Sequence, residues 1–356
     1  MKQIFFLIVI SFFGCGSPSE AVESPVAQVP TMYFPPIGSD VWQTTTAQSL
    51  NWDVSKQADL LSFLEAKYTK SFMILVDGKI VMEHYFNGHS ATQNWYWASA
   101  GKTLTATTFG IAEQEGLVSR TDKVSSKLGV GWTSAPLAKE NLITNNHLLT
   151  MTSGLDDATD DVSVASLTYK ADAGTRWAYH NVFVKLQDVI AAASGQSFTN
   201  YFNAKLRDKI GMNGGWFTVG NNILYGSNAR SAARFGLLML NKGKWESTQI
   251  LNQNYFEAAT TTSQNLNLAY GYLWWLNGKP TYRMPVSQAV FSGSLVPSGP
   301  ADMFMALGKN DQKIYVIPSR RMVVMRMGDA SDPANPTFSM SGFDTELWTK
   351  ISALIR

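Results

Sequence analysis

Hydrophobic and polar positions divide the chain into strand-like segments near both ends and helical segments between them. The run "SFMILVDGKIVMEHYF" has the pattern of a strand, an Asp77-Gly78 turn and a second strand, which is typical of a β-hairpin. Strand-like runs return only late, in "YGYLWWLN", "MFMALG", "KIYVIPS" and "RMVVMRMG". Because such strands need a common sheet, we expect an α/β (α+β) fold whose sheet joins distant parts of the chain around a helical insertion.

Helical periodicity marks the other segments. Residues 57–67 place Leu60, Leu61 and Leu64 on one helical face. Further helical patterns occur in "NWYWASAGKTLTATTFGIAEQEGLV", "NNHLLTMTSGL", "NVFVKLQDVIAAASG" and "ARSAARFGLLMLNKG". The last segment repeats apolar residues at helical spacing, at Phe343, Leu347, Trp348, Ile351 and Leu354. The pattern predicts a helical subdomain over about residues 117–215.

Composition narrows the class of protein. Hydrophobic residues make up 45% of the chain and charged residues 16%, as in a folded protein with a lightly charged surface. Lysines and arginines number 29 against 27 acidic residues, which gives no reason to expect nucleic acid as a partner. The histidines, His84, His89, His147 and His180, lack the spacing of metal ligands, so we do not expect a zinc site. We expect no cofactor.

The N-terminus has the pattern of an export signal. "MKQIFFLIVISFFGC" places one basic residue before an apolar run that is too short to span a bilayer. Cys15, the only cysteine, cannot form an internal disulfide, and its position resembles the lipidated cysteine of a bacterial lipoprotein signal. We expect a signal peptide over 1–15, a flexible tether over 16–41 and a folded domain over 42–356.

This pattern also predicts a location. The protein is expected to be exported to the periplasm or cell envelope and held at the membrane through a lipid on Cys15. A signal peptide that is cleaved together with its cysteine is the alternative. The sequence does not indicate an oligomeric state.

Residues 94–118, "NWYWASAGKTLTATTFGIAEQEGLV", are compatible with more than one kind of site. A phosphate loop needs a glycine five positions before its Gly-Lys pair, and Tyr96 stands there instead. The Gly-x-Ser-x-Gly turn of α/β-hydrolases is absent from the chain. What remains is Ser-x-x-Lys, which would place Ser99 and Lys102 on one face of a helix.

Ser99 and Lys102 have two interpretations. An unprotonated lysine, or a lysine that lowers the pKa of a neighbouring tyrosine, can take the proton of the serine hydroxyl at a helix N-terminus. Taken alone, the pair is better explained by a capping serine and a lysine that extends to solvent.

Downstream, Tyr179 and Asn181 form Tyr-x-Asn in a turn before an apolar helix. Tyr179 is then a candidate general base, and a core tyrosine is its alternative.

Several segments together resemble one known family. "WASAGKTLTATTFGIAEQEGLV", "HLLTMTSGL", "WAYHNVFVKLQDVIAAASG", "SAARFGLLMLNKGKW" and "ALGKNDQKIYVIP" occur in the order seen in the penicillin-recognising serine hydrolases. The chain looks most like class C β-lactamases, family VIII esterases and 6-aminohexanoate-dimer (nylon-oligomer) hydrolases, over about residues 42–353. The resemblance implies a β-lactamase/transpeptidase-like fold, with an antiparallel sheet from N- and C-terminal segments, flanking helices and a helical subdomain.

The resemblance also implies residue roles. Ser99 matches the acylated nucleophile, Lys102 its lysine partner, and Tyr179 the tyrosine that carries the proton to the leaving group. Asn181 matches the residue that contacts the substrate amide or steadies Lys102. The helper glutamate of class A β-lactamases, in a Glu-x-x-Leu-Asn run, is absent, so deacylation would use Tyr179 and Lys102 again.

The third family motif departs from the usual Lys-Thr-Gly or His-x-Gly, because this chain has Ala306-Leu307-Gly308 there. The missing cation would hold the carboxylate of a β-lactam or of a peptide C-terminus. Ala306, with Gln312 further on, resembles the nylon-oligomer hydrolase branch. Gly308 still allows close approach of a substrate, and the N–H of Lys309 with that of Ser99 would form the oxyanion hole.

We therefore expect an exported serine hydrolase that cleaves an amide or ester bond of a small molecule through an acyl-serine intermediate. A weak class C-type β-lactamase or D,D-peptidase is the enzymatic alternative. A non-catalytic envelope lipoprotein that binds peptidoglycan fragments is the alternative from another class.

Overall fold

The computed structural model describes residues 31–334, 336, 340 and 342–355, together with residues 1 and 3. The chain divides into two compact units, Met1–Thr31 and Met32–Arg356. Cys15, the predicted signal peptide apart from residues 1 and 3, and most of the predicted tether lie outside the described residues. In the described part, no helix combines the length and the hydropathy needed to cross a membrane.

The described residues form ten α-helices and thirteen β-strands. The helices are α1 (Gln57–Ala66), α2 (Lys102–Gln114), α3 (Ser125–Leu128), α4 (Leu137–Glu140), α5 (Asn145–Leu149), α6 (Lys185–Ser194), α7 (Phe198–Phe202), α8 (Ala229–Leu240), α9 (Gln253–Ala259) and α10 (Gly342–Leu354). The strands are β1 (Thr69–Val76), β2 (Lys79–Tyr85), β3 (Trp95–Tyr96), β4 (Gly215–Val219), β5 (Asn222–Ser227), β6 (Lys244–Trp245), β7 (Thr248–Gln249), β8 (Trp275–Leu276), β9 (Thr281–Tyr282), β10 (Phe291–Ser292), β11 (Phe304–Gly308), β12 (Gln312–Ile317) and β13 (Met322–Gly328).

A six-stranded sheet in the order β2-β1-β13-β12-β11-β8 lies at the centre of the second unit. Every neighbouring pair in this sheet is antiparallel. β1 and β13 pair from Thr69 opposite Gly328 to Val76 opposite Met322, so distant segments of the chain meet in the middle of the sheet. The predicted sheet of N- and C-terminal strands is confirmed.

Helices cover both faces of this sheet. On one face α8 packs so closely that a Cβ on Gly236 would lie 2.5 Å from Val323 Cγ1. On the other face Tyr315 of β12 meets Trp348 of α10 edge to face, with ring centroids 5.5 Å apart. The apolar residues predicted for one face of the last helix are all buried. With both faces covered, β12 and β13 are buried at every position.

The last part of the predicted tether, residues 32–41, belongs to the second unit. Arg234 of α8 donates hydrogen bonds to the main-chain oxygens of Pro35, Pro36 and Ser39, at 3.1, 2.9 and 3.3 Å. These bonds give a partner to carbonyl oxygens that would otherwise be shielded from water without a hydrogen bond. The second unit therefore begins ahead of Trp42, the residue at which the sequence pattern places the start of the domain.

Candidate active site

Ser99 lies in a short 3₁₀ turn, Ala98–Gly101, directly before α2, and not in the regular helix that the sequence pattern predicts. The turn follows β3, and Trp97 N–H fixes its entry by donating to Tyr225 O at 2.8 Å. Ala98 has a φ of 47°, in the left-handed region that disfavours residues with a Cβ. Such strain beside a partly exposed serine is typical of functional positions.

Lys102, the first residue of α2, is buried. Its Nζ donates to Ser99 Oγ at 2.8 Å, and the ring centroids of Tyr179 and Phe183 lie 4.8 and 4.6 Å from Nζ. Burial lowers the pKa of Lys102 to about 7, and the carboxylate of Asp160 opposes this shift. The alternative of a lysine that extends to solvent is therefore wrong. Near neutral pH a large fraction of such lysines carry a free amine that can accept a proton.

Tyr179 comes from the loop before α6 and joins a cluster of aromatic side chains. Its ring stacks on Trp275 with centroids 5.5 Å apart and meets Tyr270 edge to face at 6.2 Å. This packing fixes the ring in place while its face covers the Lys102 ammonium. The structure thus brings Ser99, Lys102 and Tyr179 to one cavity.

The two residues after Tyr179 hold a neighbouring loop. His180 is buried, and its Nε2 donates to Thr159 O at 2.9 Å, so the ring faces the 157–160 loop instead of solvent. Burial also lowers the pKa of His180, which favours the neutral ring. The Asn181 amide donates to Asp160 O at 3.2 Å and to Asn222 Oδ1 at 2.9 Å. Both Nδ2 bonds of Asn181 thus go to the protein, and they connect the loop to β5.

The end of β11 packs against the serine turn. A Cβ on Gly308 would lie 2.4 Å from Trp97 O and 3.0 Å from Ala100 N, so this close approach requires glycine. The next residue, Lys309, is exposed and lines the same cavity as Ser99. Ala306, where the resemblance implies a cation, is fully buried.

These residues surround a cavity of about 400 Å³. Its walls include side chains to which the sequence pattern gave no role in a site, among them Tyr96, Asp160, Val219, Leu224 and Val286. Val219 and Val286 are 56% and 71% exposed, which leaves apolar surface at the cavity. They belong to a hairpin and a loop, where hydrophobic periodicity carries no signal. Among the described residues, no group of three or more His, Cys, Asp or Glu could hold a metal ion.

A helix-flanked antiparallel sheet with a Ser-x-x-Lys turn packed on one of its strands is the β-lactamase/transpeptidase-like fold. The model of the beta-lactamase family matches residues 64–337, most of the chain, and the chain belongs to this family. Its members are generally serine hydrolases. The family resemblance and the fold class predicted from the sequence are confirmed.

Solved structures share this fold at low sequence identity. A Bacillus anthracis protein assigned as a 6-aminohexanoate-dimer hydrolase is 19% identical, with a TM-score of 0.63 over 78% of this chain and 77% of its own. A family VIII carboxylesterase is 15% identical, with a TM-score of 0.63 over 84% and 96%. A penicillin-binding protein from Bacillus halodurans is 18% identical, with a TM-score of 0.59 over 83% and 99%. A comparison with curated proteins finds no match.

Proposed function

We propose that this protein is a serine hydrolase that cleaves an amide or ester bond of a small molecule through an acyl-serine intermediate. The observation that carries the proposal is the 2.8 Å hydrogen bond from Lys102 Nζ to Ser99 Oγ. Burial gives this lysine a pKa of about 7, so it can act as a base near neutral pH. A purely structural lysine gains nothing from such a costly position.

The reaction follows from these positions. Ser99 Oγ attacks the substrate carbonyl carbon while its proton passes to Lys102 Nζ. The main-chain N–H groups of Ser99 and Lys309 are the donors we assign to the negative charge on the carbonyl oxygen. Tyr179 gives its phenolic proton to the leaving nitrogen or oxygen as the bond to carbon breaks, and it takes a proton back from Lys102 Nζ, which returns the lysine to the free amine. Water then adds to the acyl carbon through the same relay, which releases the acid and restores the serine.

The apolar residues of the cavity walls favour a substrate with an aliphatic part. Val219, Leu224 and Val286 present apolar surface beside the serine. Ala306 supplies no cation for the carboxylate of a β-lactam or a peptide C-terminus, which favours other amides and esters. From the N-terminal pattern, we further propose that the enzyme works in the cell envelope, anchored through Cys15.

Replacing Ser99 by alanine tests the proposal. We expect Ser99→Ala to reduce hydrolysis of p-nitrophenyl esters by at least about 10⁴-fold and to abolish labelling by a fluorophosphonate, because the nucleophile is gone. Ser126→Ala, in which an exposed serine of α3 is removed, is the matched control and should behave as wild type. Undiminished labelling of the Ser99→Ala protein would show that the assignment is wrong.

A substrate panel separates the alternatives. Wild-type protein would be assayed with p-nitrophenyl esters, linear amide oligomers and nitrocefin. Rapid, saturable nitrocefin turnover would favour a β-lactamase, and cleavage of D-Ala-D-Ala peptides a D,D-peptidase. Binding of peptidoglycan fragments without turnover of any substrate would favour a binding lipoprotein.

A further inference from the structure

The turn between β11 and β12 has an unfavourable main-chain conformation. Asn310 and Asp311 have φ angles of 59° and 60°, so two successive residues with side chains occupy the left-handed region. The same turn begins with Lys309, which lines the cavity together with Ser99. Because such a backbone persists only when its surroundings hold it, the groups that hold it also set the position of Lys309.

Arg326 of β13 holds this turn through hydrogen bonds to its main chain. Its side chain is fully buried, and its Nη1 donates to Asn310 O at 2.9 Å and to Asp311 O at 3.0 Å, the carbonyls of both left-handed residues. The other donors bond to Lys67 O at 2.8 Å, Asp329 O at 2.8 Å and Thr69 Oγ1 at 3.2 Å. Every nitrogen of the guanidinium thus has an oxygen acceptor, an arrangement that needs the planar fork of arginine.

Two amide side chains support the same turn. Gln312 Nε2 donates to Asn310 O at 2.9 Å and to Gly328 O at 2.6 Å, and its Oε1 accepts from Gly328 N–H at 3.1 Å. Asn310 Nδ2 donates to Tyr96 OH at 2.8 Å, which connects the turn to the strand before Ser99. The turn is therefore tied to the central sheet and to the segment that carries the serine.

We propose that Arg326 is a positioning residue for the oxyanion hole, acting through the turn that places the Lys309 N–H. The inference rests on the proposed function, because it requires this N–H to stabilise the oxyanion. A main-chain donor cannot be re-aimed by a rotamer change, so its distance to the oxyanion depends on the conformation of the turn that it begins. Displacements of an ångström or less weaken such hydrogen bonds where charge develops.

The chain contains a matched control for this proposal. Arg234 is also buried, and it donates to four main-chain oxygens, those of Pro35, Pro36, Ser39 and Ile210. Burial lowers the pKa of both arginines to about 10, so both remain charged at neutral pH. Arg234 holds the segment before Trp42 and does not line the cavity. Substituting lysine at either position keeps the charge but removes the fork.

The experiment compares Arg326→Lys with Arg234→Lys in the full-length protein. The readouts are Tm, kcat and KM on a p-nitrophenyl ester, and the affinity of an alkyl boronic acid, which forms a tetrahedral adduct with the serine. Both substitutions should lower Tm. Only Arg326→Lys should lower kcat of the folded enzyme, by about 10- to 100-fold, weaken the boronate by a similar factor and leave KM nearly unchanged.

Active-site titration with the fluorophosphonate corrects every rate for the folded fraction. Equal kcat in the two corrected variants, or unchanged boronate affinity in Arg326→Lys, would overturn the proposal. If Arg326→Lys does not fold, Gln312→Met, which weakens the same turn, should give the same loss of kcat and of boronate affinity, and wild-type values there would overturn the proposal as well. A wild-type protein without Ser99-dependent turnover would instead contradict the proposed function itself.

Discussion

The cavity has two walls that are built differently. The sheet-side wall consists of the serine turn, Lys102 and the end of β11 at Gly308, and it rests on α2, which is buried throughout residues 102–112. The loop-side wall is the 157–160 loop, whose residues 158–160 are exposed. This loop is held through its main-chain oxygens, by the side chains of His180 and Asn181.

The difference separates the groups that act on the reacting atoms from the groups that adjust the pKa of Lys102. Groups that must hold a reacting atom within a fraction of an ångström belong on packed elements, as on the sheet-side wall. A charge such as that of Asp160 acts over a longer range, so it tolerates a position on a loop. We therefore expect substitutions on the sheet-side wall to change kcat, and those on the loop-side wall to change the pH dependence.

The largest effect is expected from Lys102→Met. Methionine suits the buried position but cannot accept the serine proton, so kcat/KM on a p-nitrophenyl ester should fall by about 10³- to 10⁴-fold while the protein stays folded. Lys127→Met, which replaces an exposed lysine of α3, should leave the rate unchanged. If Lys102→Met retained a tenth or more of the activity, Lys102 would not be the base that accepts the serine proton.

A smaller effect is expected from Gly308→Ala. The new Cβ would lie 2.4 Å from Trp97 O, so β11 and the serine turn must move apart. We expect kcat to fall by about 10- to 100-fold and Tm to decrease. Gly215→Ala is the control, because a Cβ there meets no atom within 4 Å. Full activity of Gly308→Ala would contradict the idea that the sheet-side wall tolerates no displacement.

The smallest effect is expected from Asp160→Asn, on the loop-side wall. The proposed mechanism requires the free amine of Lys102, so the wild-type rate should rise with pH through about 7. The Asp160 carboxylate raises the pKa of Lys102, and its removal should therefore move the acidic limb of the kcat/KM profile to lower pH, by less than about one unit. Asp161→Asn should not shift the profile. A shift to higher pH in Asp160→Asn would contradict the assigned base.

Features with a local signal were predictable from the sequence. The β1–β2 hairpin has two apolar strand-like runs around Asp77-Gly78, and α10 repeats its apolar residues at helical spacing. Ser99 and Lys102 could be singled out by spacing, and Tyr179 by the order of the motifs. Arg326 and Asp160 could not, because Arg326 connects the turn to Lys67, which is far away in the chain, and Asp160 acts on Lys102 from a separate segment. The sequence placed Ser99 at a helix N-terminus, but it gave no sign of the 3₁₀ turn or of the left-handed φ of Ala98, because no periodic pattern marks a single strained residue.

The pairing of β1 with β13 has a consequence for how the molecule is made. During synthesis β1 emerges long before its central partner, and until then the hairpin presents an unpaired edge whose residues are mostly buried in the finished sheet. Sheets closed by such distant segments form slowly, and their open edges aggregate. A nascent chain that stops before Met322 is therefore a substrate for chaperones and proteases, and the central sheet is complete only when nearly the whole chain is present.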